Sequence, residues 1–281
     1  MINNSYAKIN LAINLIKKDE NNYHQLDMLT SKVKLYDKIE IKLAKHKNIK
    51  LTCSNRFIPC NSKNLVYRAA NLVLTKYNIE TGLDIKITKY IPIQAGLGGG
   101  SANAATTIEM LNKIFKLNMT LEDKISLGEQ LGSDIPLFFH NGVCRVQGYG
   151  EKVSIVNNLL KDMVIVLVKP NRGLSTKQVY QNVNLNTCNH PNVDLVVKAL
   201  ENNDYPLFID NIANSLEESA TSLKPLINEM IDELYHLGID KCIVCGSGST
   251  IVGFTKNKDV ALKIKETYYN KNNFVFITKM I

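Results

Sequence analysis

Pro92-Ile93-Gln94-Ala95-Gly96-Leu97-Gly98-Gly99-Gly100-Ser101-Ala102-Asn103-Ala104-Ala105 stands between two different periodicities. Before it, Leu83, Ile85 and Ile87 alternate with Asp84, Lys86 and Thr88, the period of a half-buried strand. After it, Ile108, Leu111, Ile114 and Phe115 recur at helical spacing on an Ala-rich stretch. Gly96, Gly98, Gly99 and Gly100 remove the Cβ atoms that would hold a ligand away from the backbone. Ser101 and Asn103 are suited to cap the helix that follows. The N–H groups and positive dipole end of its first turn then offer an anion site. The stretch reads as a loop that wraps phosphate. The plainer alternative is a glycine-rich turn between two packed elements.

Two familiar glycine loops are excluded. A Walker A loop ends in Gly-Lys-Ser/Thr, and the chain contains no Gly-Lys pair. A dinucleotide-binding fingerprint needs Gly or Ala where Ser101 stands and an acidic residue about 20 positions on, after a second strand. Residues 108–131 read as helical instead.

The 281 residues are 45% hydrophobic and 21% charged, the balance of a globular protein. The net charge of +8 suits a protein that meets anions. Its lysines are scattered with few aromatics among them, so they read as solvated faces plus a phosphorylated ligand rather than as a nucleic-acid surface. No uninterrupted apolar run nears the ~18 residues of a membrane span, and no leader pattern is visible. Six cysteines form no disulfide framework. Cys242 and Cys245 sit in a strand-like run where positions three apart face oppositely, which argues against a shared metal. These features predict reduced thiols and a cytoplasmic protein.

Strands are predicted over 8–15, 31–43, 49–53, 83–89, 143–147 and 153–155, with helices over 64–77, 101–115 and 120–131, the last opened by a capping box at Thr120. Residues 157–162 read as a junction. Beyond it come a buried strand at 163–168, helices at 175–182, 192–202, 204–217 and 222–236, strands at 241–245 and 250–254, a helix at 257–270 and a strand at 274–279. This order predicts an α+β fold of two domains, 1–155 and 156–281.

Five pieces carry chemistry together: Ala7-Lys8-Ile9-Asn10-Leu11, Asn22-Tyr23-His24, the glycine loop, Gly132-Ser133-Asp134-Ile135-Pro136, and Gly246-Ser247-Gly248-Ser249. In this order they resemble the GHMP kinase superfamily of small-molecule kinases, over essentially the whole chain. The resemblance implies an N-terminal domain like the second domain of ribosomal protein S5 and a ferredoxin-like α/β sandwich at the C-terminus. It implies ATP as phosphoryl donor, with Mg²⁺ brought in by ATP. The Lys8, His24 and Asp134 pieces resemble the branch that phosphorylates the 2-hydroxyl of a cytidine-diphosphate-linked methylerythritol. Mevalonate, phosphomevalonate and homoserine kinases, or a non-catalytic nucleotide-binding relative, are the alternatives. The implied partner is a small molecule, with no nucleic acid or membrane, for a monomer or homodimer.

The residue roles follow from that resemblance. Asp134 matches the catalytic base; by its own pattern it equally suits a helix cap before Ile135-Pro136. Lys8 would keep Asp134 ionised and offset charge on the moving phosphoryl group. Unaided, Lys8 reads as an exposed strand lysine, yet its run is otherwise apolar. Pro92 to Ala102, with Asn64, Leu65 and Lys89, match the ATP site. Asn10, Tyr23, His24, Tyr180, Gly246, Ser247 and Gly248 match the substrate site. There, Tyr23 and Tyr180 would sandwich cytosine and His24 would meet its edge. A lone histidine is otherwise more often structural. Asn21-Asn22 stands where the family has Asp-Gly, a turn asparagine can support.

Overall fold

The computed structural model describes residues 1–20, 23–271 and 273–281, so Asn21 and Asn22 lie outside it. In chain order the elements are β1 (Ile2–Lys18), β2 (His24–Ala44), β3 (Ile49–Cys53), α1 (Leu65–Lys76), β4 (Gly82–Thr88), α2 (Gly99–Phe115) and α3 (Leu121–Glu129). A short 3-10 helix, Pro136–Phe139, precedes β5 (Val143–Gly148), β6 (Lys152–Val156) and β7 (Val164–Lys169). Then come α4 (Thr176–Asn182), α5 (Val193–Glu201), α6 (Tyr205–Asn211), α7 (Glu217–Leu223) and α8 (Leu226–His236). The chain closes with β8 (Lys241–Val244), β9 (Ile251–Thr255), α9 (Lys258–Asn270) and β10 (Phe274–Thr278).

Two compact units form. One holds 1–7, 35–91 and 98–140; the other holds 8–34, 92–97 and 141–281. They divide the chain differently from the halves 1–155 and 156–281, because β1 and β2 are long and each supplies residues to both units.

In the first unit β4 lies between β3, in parallel, and the second half of β2, antiparallel. The register sets Ile39 opposite Ile87 and Ile41 opposite Ile85. All four are buried and join Val66, Ala69 and Val73 of α1 with Ile108 and Leu111 of α2 in one core. The period-2 and helical patterns thus meet on one apolar layer. Thr120 and Asp123 make the predicted capping box reciprocally.

In the second unit the first half of β2 pairs with β5, and β5 with β6. A four-stranded antiparallel sheet runs β10-β7-β9-β8. Ile165, Val166, Leu167 and Val168 are fully buried in its interior strand β7, as their unbroken apolar run requires. A core of Val166, Val168, Ile227, Leu234, Ile264 and Tyr268 binds the helices to this sheet.

Two expectations are corrected. The helix read over 204–217 is broken: α6 ends at Asn211 and α7 begins at Glu217. Between them Ile13 forms a parallel bridge with Asn214, and Ser215 N–H donates to the Ile13 carbonyl. Tertiary hydrogen bonds replace the helical ones there. The second concerns α2. Its N-cap is Gly98 in the left-handed region at φ 66°, with no side-chain cap, so neither Ser101 nor Asn103 caps it.

Candidate active site

The second unit brings Lys8, Asn10, Gly96 and Gly246 together. Lys8 and Asn10 are both buried on β1, two residues apart and so on one face. Lys8 Nζ donates to Asn10 Oδ1 at 2.6 Å, and its backbone N–H donates to the Leu97 carbonyl at 3.0 Å. A Cβ built on Gly246 would stand 3.4 Å from Asn10 Oδ1 and 3.5 Å from Lys8 Nζ. The loop Pro92 to Leu97 and the Gly246-Ser247-Gly248 motif thus converge on the β1 pair. Gly96 is held there at φ 74°, where an added Cβ would lie 2.0 Å from the Cys245 carbonyl oxygen. The Cys245 thiol donates to the Gly96 carbonyl at 3.5 Å. Ser247 shares a 2.9 Å hydrogen bond with Thr176.

The first unit holds the rest of the glycine loop. Ala102 N–H donates to the Gly98 carbonyl at 2.9 Å, the first bond of α2. The N–H groups of Gly99, Gly100 and Ser101 precede it and have no side-chain cap. An uncapped helix start with two glycines fits a phosphate. A Cβ on Gly100 would lie 3.6 Å from Leu65, and one on Gly99 would lie 3.2 Å from Lys89 Nζ. Leu65 and Lys89 therefore flank this start. Asn64 does not offer its side chain: its Oδ1 caps α1 by accepting from Val66 N–H at 2.9 Å, and its Nδ2 donates to the Pro59 carbonyl at 2.7 Å. Lys89 pairs with the carboxylate of fully buried Asp37. That carboxylate also accepts the N–H groups of Tyr90 and Ile91.

Asp134 is exposed in the turn before the 3-10 helix. That helix has Ile135 at its N-cap and no side-chain cap bond. The capping alternative is therefore excluded, and within its unit the carboxylate is left for other work.

His24 packs against Tyr180 with ring centroids 5.4 Å apart, tilted by 51°. Tyr23 stays 69% exposed. Asp19 is tied to Tyr23: Tyr23 N–H donates to its carboxylate at 2.8 Å, and Asp19 N–H donates to the Tyr23 carbonyl at 2.9 Å. Burial holds the His24 pKa below its ordinary 6.5, Lys18 adding to the effect and Asp19 opposing it. The ring is neutral at pH 7, with one donor and one acceptor. If it reads a cytosine edge, KM for a cytidylyl substrate rises as pH falls through the lowered His24 pKa, on the acid side of the ordinary 6.5, while KM for ATP does not. The cytidylyl KM of a His24→Ala variant loses that pH dependence. Steady-state kinetics from pH 5 to 8 would check this; a flat wild-type profile removes His24 from the site.

Sequence reasoning missed Asn214 and Glu217. Asn214 Nδ2 donates to the carbonyls of Val244 and Gly246, both at 2.8 Å. Val244 N–H donates to Glu217 Oε2 at 2.7 Å, and burial pushes that carboxyl up from its usual range. Together they fix the strand end that presents Gly246. Asn214 Oδ1 also accepts from Leu216 N–H at 2.9 Å, but the partners that place the strand end, Val244 and Gly246, are distant in sequence, so no local pattern marks them. Asn214→Ala would leave two carbonyls unsatisfied. The loss is about 2–3 kcal/mol, read by calorimetry as a drop in Tm with a fall in kcat. An unchanged Tm overturns the assignment.

The two halves of the chain match the GHMP kinases N terminal domain over residues 64–142 and the GHMP kinases C terminal domain over residues 196–273. Fold and site define an ATP-dependent kinase of the two-domain GHMP type. The chain belongs to the GHMP kinase family. It is 36% identical to the 4-diphosphocytidyl-2-C-methyl-D-erythritol kinase of Clostridium novyi, covering 99% of both chains. It is 37% identical to the kinase of the same name from Clostridium botulinum strain Langeland, covering 100% of both. A crystal structure of 4-(cytidine 5'-diphospho)-2C-methyl-D-erythritol kinase superposes with a TM-score of 0.83 at 27% identity, over 99% of this chain and 98% of that one. Homoserine kinase from Cytophaga hutchinsonii shares the fold, at 0.77 and 19% identity, over 99% and 94%. No helix among the described residues is long and apolar enough to cross a membrane.

Proposed function

We propose that this kinase transfers the γ-phosphoryl group of ATP to the 2-hydroxyl of 4-diphosphocytidyl-2-C-methyl-D-erythritol. The products are the 2-phosphate and ADP, in non-mevalonate isoprenoid precursor biosynthesis in the cytoplasm. The observation that carries this reading is full-length similarity at 36% identity to kinases of that name, against 13–19% for structural relatives that act elsewhere.

An alcohol is a weak nucleophile at neutral pH, so a base beside it lowers the barrier as the proton leaves. Asp134 is assigned that role. Lys8, oriented by Asn10, offsets negative charge on the phosphoryl group in transfer. Gly99, Gly100 and Ser101 N–H groups hold phosphate oxygens, with Leu65 and Lys89 at the nucleotide. His24, Tyr180 and Tyr23 take the cytosine, and Ser247 a polar group of the substrate. Mg²⁺ bound with ATP would neutralise charge on the phosphates. Among the described residues no three His, Cys, Asp or Glu side chains cluster to hold a metal.

An ADP-release assay over a panel of alcohols tests the reading. Turnover with the cytidylylated methylerythritol and none with mevalonate, phosphomevalonate or homoserine is expected. Turnover with any of the last three alone overturns it.

A further inference from the structure

β7 ends at Lys169, and the turn Pro170-Asn171-Arg172-Gly173-Leu174-Ser175 leads into α4. This turn is pinned on both sides by residues of its own unit. Ser249 Oγ donates to the Arg172 carbonyl at 3.2 Å. Gly173 lies against the glycine loop, where an added Cβ would stand 2.5 Å from Gln94 Cβ. Three cations gather on the turn. Lys169 is 6% exposed, and its Nζ donates to the Pro170 carbonyl at 3.0 Å. Lys224 Nζ donates to the Arg172 carbonyl. Arg172 adds an exposed guanidinium. None of the three has a carboxylate within salt-bridge distance among the described residues. Two other cations of the fold are answered by carboxylates: Lys89 meets Asp37, and Arg145 lies between Asp27 and Asp194.

A carbonyl uses one of the three donors of an ammonium and supplies no counter-charge. Burial and neighbouring positive charge both depress the lysines, Lys224 acting on Lys169 and Arg172 on Lys224. Clustered, partly desolvated cations of this kind are stabilised by an anion. Two point charges and one planar fork suit a diphosphate, which offers oxygens in several directions.

We propose that Lys169, Arg172 and Lys224 form an anion subsite for the diphosphate of one of the two reactants, the nucleotide donor or the cytidylyl acceptor. This rests on the proposed reaction for the identity of those reactants. Its position between Gln94 and Ser249 places it against both glycine motifs of the second unit.

Calorimetric titration of ADP, CDP, adenosine and cytidine into wild type, Arg172→Gln, Lys224→Met and Lys169→Met tests this. One diphosphate is expected to weaken about tenfold or more in each variant, with a shallower salt dependence, and the nucleosides are expected to be unaffected. Loss of ADP marks the donor and loss of CDP the acceptor. Wild-type affinity for both diphosphates in the Arg172→Gln/Lys224→Met double variant overturns the subsite, as does failure of wild type to bind either. Should buried Lys169→Met fail to fold, the other two positions decide. A wild type that binds CDP but transfers no phosphate to the cytidylylated alcohol defeats the proposed reaction and leaves the subsite to be decided by these titrations.

Discussion

Asp134→Asn is expected to lower kcat by ~10²–10⁴-fold, the scale of acid–base assistance, while Tm and nucleotide affinity stay close to wild type. The substitution keeps size and hydrogen-bonding capacity and removes only the proton acceptor. Stability should not move, because the carboxylate is exposed and caps nothing: the 3-10 helix behind it starts at Ile135 without a side-chain bond. KM for the alcohol should change little, since the loss falls on the step where the proton departs. Rapid-quench measurement of phosphoryl transfer beside calorimetry separates the outcomes. A variant with near-normal turnover and a lower Tm would show that Asp134 is structural and that the base lies elsewhere.

The same residue shows what a sequence can carry. Asp134 before Ile135-Pro136 has the pattern of a helix cap, and only the backbone shows that the cap position falls one residue later. Periodicity located almost every strand and helix, because alternation and helical spacing are imposed by the apolar layer each element must cover. It failed where long-range bonds compete with local ones. Residues 212–216 contain no glycine or proline, yet the helix stops there because Ile13 and Gly246 claim the backbone and side chain of Asn214 and Ser215. Among the site residues, Lys8 and Asn10 were legible because polar groups in an apolar run demand partners. Asp37 and Asp19 were not, since a lone aspartate within a strand or just past its end looks like any surface charge. Lys169 was hidden among the chain's other cations; its burial appears only once β7 is packed.

Gly96→Ala and Gly100→Ala should diverge sharply, although both add one methyl to the same loop. At Gly96 the backbone is left-handed at φ 74°, and the new carbon would sit 2.0 Å from the Cys245 carbonyl oxygen. Neither atom belongs to a flexible side-chain end, so backbone must move. Strain and displacement together cost roughly 3 kcal/mol or more. The movement falls on Leu97, whose carbonyl accepts the Lys8 N–H. A fall in kcat/KM of at least ~10²-fold, with a clearly lower Tm, is expected; a 1 Å misplacement of a positioning group is enough for such a loss. At Gly100 the conformation is helical, and the new carbon would touch only Leu65, at an ordinary 3.6 Å. Alanine relieves the helix of a glycine and should hold or raise stability by up to ~1 kcal/mol. Its methyl would nonetheless crowd any phosphate resting on the N–H groups of Gly99, Gly100 and Ser101. KM for ATP should therefore rise while Tm does not fall. If Gly100→Ala keeps its KM for ATP, the first turn of α2 is only a tight connection, and the phosphates must be held by other groups.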